Sequence, residues 1–362
     1  MPPQCTQGSA AARHFLATST GAGTTNAVLT AAVVEKAWRA VCRNRGSEAP
    51  GIDGVTRQRV IDRIGVDTFI HGIARSLAAG SHQFSTPRAV YIPKPSGGTR
   101  RISVLTLRDR VVLMALKLVL ETIFEPLFLP SSYGFRPALG PHAAVRAVIG
   151  SLTNMNAPVY VATADIAGFF DGVDHELLLG EVSAHVQDPG ILALLQRSLA
   201  LSPTAGIGVP QGSPLSPLLA NILLHRLDEQ FTPTCDESHR RQDAPRIFYA
   251  RYADDMTVLV SGRPEDAEDV LGQMRAHLAN LRLELAEDKT HIQRVEEGFE
   301  MLGFFIKKTA DRVDVRPSSR AVDRLKGRLV ELARQIPLGV DAGKMRRQIA
   351  AITDGFDRYF DI

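Results

Sequence analysis

Two adjacent acids, Asp254 and Asp255, interrupt an otherwise apolar, β-rich stretch, Arg246–Val260 (RIFYARYADDMTVLV). In one continuous strand, successive side chains point to opposite faces, so one of the two carboxylates would be driven into a buried face. A hairpin with the acids at its tip removes the conflict, because a turn can present both to one side. Two carboxylates held that close repel each other unless a cation lies between them. Asp-Asp is also an ordinary turn dipeptide, so the pair alone leaves a purely structural role open.

A third acid, Asp165, stands near the end of a second β-branched run, VYVATADI (Val159–Ile166), and is followed by AGFFD. Such a run reads as a buried strand, and a carboxylate there is costly without a partner. Strand ends that open onto a crevice commonly carry ligand-binding acids, although Asp165 could equally cap the next turn. Together, three acids on two strands suit a two-metal site, with ions ~3.5–4 Å apart clamping an in-line phosphoryl transfer. Hard oxygen donors with no His or Cys among them favour Mg2+, with Mn2+ as the alternative.

The distribution of charge points the same way. The 362-residue chain is nearly neutral at +3, but Thr86–Arg110 carries six basic residues against one acidic, and Lys307–Gln348 twelve against five. Between them, Gly262–Glu300 carries ten acidic residues against five basic. Two basic arms around concentrated carboxylates suit an anionic polymer held over a metal site. With 44% hydrophobic and 22% charged residues, the chain is not mostly disordered. Its three cysteines (Cys5, Cys42, Cys235) form no C-x-x-C pair, which argues against a zinc ribbon or disulfide scaffold and suits a reducing cytoplasm. No run reaches the ~18 apolar residues of a membrane helix, and no basic and apolar leader marks a secretory signal. A cytoplasmic protein with no membrane association is expected.

Patterning predicts a flexible tail over residues 1–28 and a helix over Ala31–Arg45, whose Trp38 faces the core. A turn cluster, APGIDGVT, precedes another amphipathic helix ending at Leu77. Two strands, RAVYIP and RRISV, flank the turn KPSGGT, and a long helix follows over Leu107–Phe124. Helices are expected from His175 to Leu201, then a Gly/Pro loop running into a helix over Gly208–Asp228. The C-terminal Pro317–Phe360 alternates basic and apolar residues at helical spacing, which fits either a duplex-tracking element or a solvated basic helix.

At these residues the chain resembles a bacterial group II intron-type reverse transcriptase. IPKPSGGTRRISVLTLRDR resembles the family's fingers block, and SYGFRP the block after it. ADIAGFFDGVDHELL resembles polymerase motif A, GVPQGSPLSPLLANILLHRLD motif B, RYADD motif C, LRLELAEDKTHI motif D and FEMLGFF the primer grip. These blocks follow the family's order. The resemblance implies an α+β right-hand polymerase: fingers over 29–150 with an N-terminal helical extension, a palm with an antiparallel sheet over 151–306, and a helical basic thumb over 307–362. It implies Asp165, Asp254 and Asp255 as ligands of two metal ions, helped by the Ile166 carbonyl, with the triphosphate met by Arg88, Lys94 and Arg100. Arg101 stands where the family usually has Pro, so either member of that arginine pair could make the contact.

Phe170 matches the bulky gate against a ribose 2′-hydroxyl, and core packing is its alternative. Gln211 and Gly212 match residues beside the nucleotide and template, and Tyr252 and Ala253 those beneath the primer end. Lys289 matches a lysine that protonates departing pyrophosphate, with a surface ion pair as the alternative. Phe356, in ITDGFDRYF, stands where the family favours Trp. The implied activity is an RNA-directed DNA polymerase using an RNA template, a DNA or RNA primer, deoxynucleoside triphosphates and a specific structured RNA. A maturase-like intron RNA-binding protein and a defence- or CRISPR-associated reverse transcriptase copying a noncoding RNA are the alternatives. A stand-alone polymerase without an endonuclease segment is expected; its oligomeric state is left open.

Overall fold

The computed structural model describes residues 28–93, 97–155, 158–232, 245–310, 312–335 and 342–362. Lys94, the tail 1–27, Cys5 and Cys235 therefore lie outside the described residues. Along the chain run α1 (Ala31–Arg43), α2 (Val66–Ala78), the hairpin β1 (Arg88–Pro93) and β2 (Thr99–Val104), α3 (Leu107–Phe124), α4 (Pro141–Asn154) and β3 (Val159–Ala164). They are followed by α5 (His175–Ser183), α6 (Pro189–Leu199), α7 (Ser216–Phe231), β4 (Arg246–Tyr252), β5 (Asp255–Ser261) and α8 (Pro264–Asn280). The last elements are β6 (His291–Arg294), β7 (Phe299–Met301), β8 (Phe304–Lys308), β9 (Val313–Pro317), α9 (Ser319–Gln335) and α10 (Ala342–Phe360). No helix among the described residues is long and apolar enough to cross a membrane.

Side-chain caps set many helix starts. Thr106 accepts from the Asp109 amide at α3, Asp174 from Leu177 at α5, and Asp188 from Gly190 and Ile191 at α6. Each satisfies amide groups that the first turn leaves without a helical partner.

The fold divides into two compact units built from interleaved segments. The first comprises the described residues within 1–130, 166–229 and 277–284. In it α1 buries Val34, Ala37, Trp38 and Val41, and Trp38 meets Phe69 of α2 with ring centroids 5.4 Å apart. The α3 helix is buried around most of its circumference, and its buried Asp109 gathers His82 (3.1 Å), Thr106 (2.7 Å) and the Ser85 amide (3.1 Å).

The second unit comprises the described residues within 131–165, 230–276 and 285–362. It holds an antiparallel sheet in the order β4-β5-β3-β6 and a meander β7-β8-β9. Directly opposed residues of paired strands project to the same face. One face of the sheet therefore carries the rows Phe248–Leu259–Val161–Gln293 and Ala250–Thr257–Thr163–His291. At one end this face is core: Val159, Val161 and Leu259 pack with Phe299, Met301, Phe304 and Ile306 of the meander and with Val145, Val148 and Leu152 of α4. Toward the other end the row changes from apolar to hydroxyl and imidazole, and there the sheet opens. The C-terminal end of α10 closes on the same core, with Phe360 and Tyr359 against Phe304 (centroids 4.8 and 5.5 Å) and the Tyr359 hydroxyl donating to the Leu302 carbonyl at 2.8 Å.

Candidate active site

The acids lie where the open end of that face begins. Pairing of β3 with β5 ends at Ala164 opposite Met256, and one further step in the same register sets Asp165 opposite Asp255. Tyr252 opposes Asp255 from β4, and Ala253 and Asp254 form the turn between them. The hairpin expected from the sequence is thus present, with Asp255 opening β5 and Asp254 in the turn. Ala253 has φ +58°, a left-handed conformation that a residue with a Cβ adopts at some cost.

A neighbouring segment holds this strained turn. Ser132 pairs in parallel with Arg251, the Arg251 amide donates to the Ser131 carbonyl, and the Tyr133 amide donates to the Arg251 carbonyl, both at 2.8 Å. The Arg251 side chain is wholly buried. Its guanidinium donates to the Ala253 carbonyl at 3.0 Å and to the Ser132 hydroxyl at 2.8 Å. Gly134 lies flat on the turn: a Cβ there would collide with the Ala253 nitrogen and sit 3.0 Å from the Tyr252 carbonyl carbon, so only glycine fits.

The Asp165 carbonyl accepts from the Ala286 amide at 2.8 Å, and the Ala286 carbonyl accepts from Lys289 at 3.0 Å. This fixes the turn from which Lys289 reaches Asp165, Nζ to Oδ1 3.1 Å. Burial works against the Lys289 ammonium. The hydrogen bond and charge of Asp165, with Asp254 and Asp288, outweigh it and hold its pKa above the usual value. Asp255 is pushed up to about 7, first by burial of its carboxyl and then by the charges of Asp254 and Asp165; a hydrogen bond to Asp165 acts in the same direction, while Lys289 pulls it down. One carboxyl of the three thus keeps a proton near neutrality in the absence of a cation. The cavity beside these acids is also lined by Thr163, Thr257, His291, Arg316 and Arg320.

Among the described residues no group of three His, Cys, Asp or Glu side chains is closed around a metal position. The donor set nevertheless fits a hard divalent cation. It offers carboxylate oxygens alone, and their mutual repulsion is what an ion would relieve.

The remaining candidates belong to the first unit. Arg88 is exposed and its guanidinium donates to the Pro50 carbonyl at 3.0 Å. Arg100 and Arg101 oppose Ile92 and Tyr91 and so point to opposite faces of the hairpin; Arg100 is exposed and Arg101 half-buried. Ile166 is buried. Phe170 is half-buried against Phe169 (centroids 5.6 Å), and its carbonyl accepts from the Val209 amide at 2.7 Å. That bond ties the motif A turn to the loop carrying Gln211 and Gly212. Gln211 donates to Asp171 at 3.2 Å, and its carbonyl accepts from Ser103 of β2 at 2.7 Å. Gly212 has φ +111°, and a Cβ there would lie 2.9 Å from the Ser103 carbonyl oxygen.

Nothing local in SYGFRP or RYADD marks Ser132, Gly134 and Arg251 as the residues that hold the turn.

Comparison with known proteins agrees with this geometry. Residues 92–306 match the family model "Reverse transcriptase (RNA-dependent DNA polymerase)". Protein YkfC of Escherichia coli K12 is 32% identical over 300 residues, covering 74% of this chain and 78% of that one. Group II intron-encoded protein LtrA of Lactococcus lactis subsp. cremoris is 27% identical over 337 residues, covering 75% of this chain and 54% of LtrA. The chain thus spans most of the first relative and about half of the second. Among solved structures, apo telomerase of Candida tropicalis truncated from its C-terminal domain superposes with TM-score 0.51 at 15% identity, covering 65% of this chain and 55% of that chain. Telomerase of the same organism in complex with the TWJ fragment of telomeric RNA gives 0.51 at 15% identity, covering 76% and 53%. The fold is that of a right-hand polymerase. A strand-end acid facing a hairpin Asp pair, within a family match spanning more than half its residues, establishes that this chain belongs to the reverse transcriptase family and carries an RNA-directed DNA polymerase domain of the bacterial group II type.

Proposed function

We propose that this protein extends a primer 3′-hydroxyl along an RNA template by attack on the α-phosphate of a deoxynucleoside triphosphate. The observation that carries the reading is the register that sets Asp165 opposite Asp255, beside Asp254 and Lys289. Asp165, Asp254 and Asp255, with the Ile166 carbonyl, would hold divalent cations, Mg2+ by donor hardness. When bound, such ions lower the pKa of the attacking hydroxyl and offset charge on the pyrophosphate.

The chain's own residues do the rest. Arg251, Ser132 and Gly134 fix the turn, so the acids need little reorganisation when substrate arrives. Lys289 is charged and sits at Asp165, so it can donate a proton to the departing pyrophosphate once that pair loosens. Arg88 and Arg100, with Lys94, meet the triphosphate as separated cations. Phe170 closes the space of a 2′-hydroxyl, held by its bond to the loop of Gln211 and Gly212. The basic helices α9 and α10 track the duplex backbone.

The test is extension of a DNA primer on an RNA template with Mg2+, wild type beside Asp254→Asn, with RNA binding measured in parallel. Synthesis lost in the variant with binding retained supports the reading. Comparable synthesis by both proteins overturns the site assignment.

A further inference from the structure

The loop Gly208–Gly212 is tied down along its backbone. The Gly208 amide donates to the Val173 carbonyl at 2.6 Å, and the Gly208 carbonyl accepts from His175 Nε2 at 2.6 Å. The Val209 amide donates to the Phe170 carbonyl. The Pro210 carbonyl accepts from the Ser216 hydroxyl at 2.9 Å, and the Gln211 carbonyl from the Ser103 amide at 2.7 Å. Val209 and Pro210 are buried, so Gln211 is the residue of this loop whose side chain reaches solvent.

Asp171, the residue after Phe170, holds that side chain. The Gln211 amide nitrogen lies 3.2 and 3.3 Å from the two Asp171 carboxylate oxygens, and among the described residues no cation pairs with Asp171. The contact is exposed and joins side chain to side chain, so the loop keeps its backbone bonds without it. Its effect falls on the Gln211 side chain alone. A glutamine turns about several bonds, and fixing them in advance removes an entropy cost that binding would otherwise meet. A carboxylate oxygen only accepts, so the Gln211 amide turns its NH2 group to Asp171 and its carbonyl oxygen outward. That outward atom is an acceptor and can meet only a donor.

Resting on the polymerase reading above, in which Phe170 meets the sugar of the incoming nucleotide, we propose that Asp171 is a positioning residue. It presets Gln211 beside the gate as an acceptor for a donor group of that nucleotide. One short helix, Phe169–Gly172, then carries both the gate and the clamp. Without Asp171 the amide turns freely and its two ends interchange, so nucleotide binding weakens while the chemistry of bound nucleotide is little changed.

The experiment measures single-nucleotide extension on a primed RNA template over a range of deoxynucleoside triphosphate concentrations. It compares wild type, Asp171→Ala, Asp171→Asn, Gln211→Ala and the double alanine variant, with thermal stability recorded for each. Asp171→Ala is expected to raise nucleotide KM about fivefold, the size of one exposed hydrogen bond, with kcat within about twofold and Tm unchanged. Asp171→Asn, whose side-chain oxygen still accepts from Gln211, restores KM. In the Gln211→Ala background the loss of Asp171 adds nothing, since Asp171 acts only through the amide. The proposal is overturned by an unchanged KM in Asp171→Ala, by additive effects of the two alanine variants, or by a joint fall of kcat and Tm that Asp171→Asn does not repair. Each of these leaves the polymerase standing. No extension by wild type overturns the polymerase reading and the proposal with it.

Discussion

Replacing Asp255 by Asn should make the protein more stable while removing its synthesis. Asn keeps the volume of Asp and can donate to Asp165 as a protonated carboxyl does, but it carries no charge to set against Asp254 and Asp165. Lifting the Asp255 pKa from its ordinary 3.8 to about 7 would cost the folded state ~4 kcal/mol above neutrality if water took no part. The residue as a whole is solvent-exposed, so screening by water reduces the figure to ~1–2 kcal/mol. For a protein of 362 residues that is a rise of roughly 1–3 °C in Tm. The pH dependence is fixed in sign. At pH 8 the carboxyl is ionised both folded and unfolded, so the penalty is complete. As pH falls through about 7 the folded form takes up its proton, and the penalty fades until both forms are protonated below 3.8. Calorimetry in a chelator at pH 8, 6 and 4.5 should therefore show the gain of Asp255→Asn shrinking with acidity. Saturating Mg2+ at pH 8 should narrow it again by stabilising only the wild type. A variant that melts at or below wild type at pH 8 in chelator, or a gain independent of pH, would refute the reasoning.

Other expectations follow from close contacts. Gly134→Ala should displace the Ala253 turn, costing ~1–3 kcal/mol in stability and most of kcat; an unchanged kcat would show that the contact does not position the acids. Phe170→Ala should relax sugar discrimination, read as ribonucleotide incorporation relative to deoxyribonucleotide, and undiminished exclusion removes Phe170 from the gate. Lys289→Ala should cut kcat about 10²-fold with little change in primer KM if the lysine supplies a proton. Tyr359→Phe, which leaves the Leu302 carbonyl without its donor, should cost ~1 kcal/mol by thermal denaturation.

Much of the palm was legible because its signals are local. The hairpin Arg246–Val260 announced itself by acids breaking an apolar β pattern, and the Val159 strand by its β-branched run. The α3 helix begins and ends where its pattern and Thr106 cap indicate. What escaped was carried by contacts distant in sequence. The link from Arg251 to Ser132 spans 119 residues, and an arginine in a strand gives no local sign that it will be buried. The left-handed turn falls on Ala253, a residue type that does not advertise turns. The choice between Arg100 and Arg101 depends on which face of β2 meets substrate, and alternation separates the two without ranking them.

The face of the sheet that passes from Val161 and Leu259 through Thr163 and Thr257 to Asp165 and Asp255 couples quality control to chemistry. A slip of one residue between β3 and β5 would turn an acid away and expose an apolar side chain in the same motion. Chains with misaligned acids are thus also chains with a broken core, which unfold and are cleared rather than persisting as folded but inactive competitors for template. Drift in the register is removed by folding itself, before any substrate has to test it.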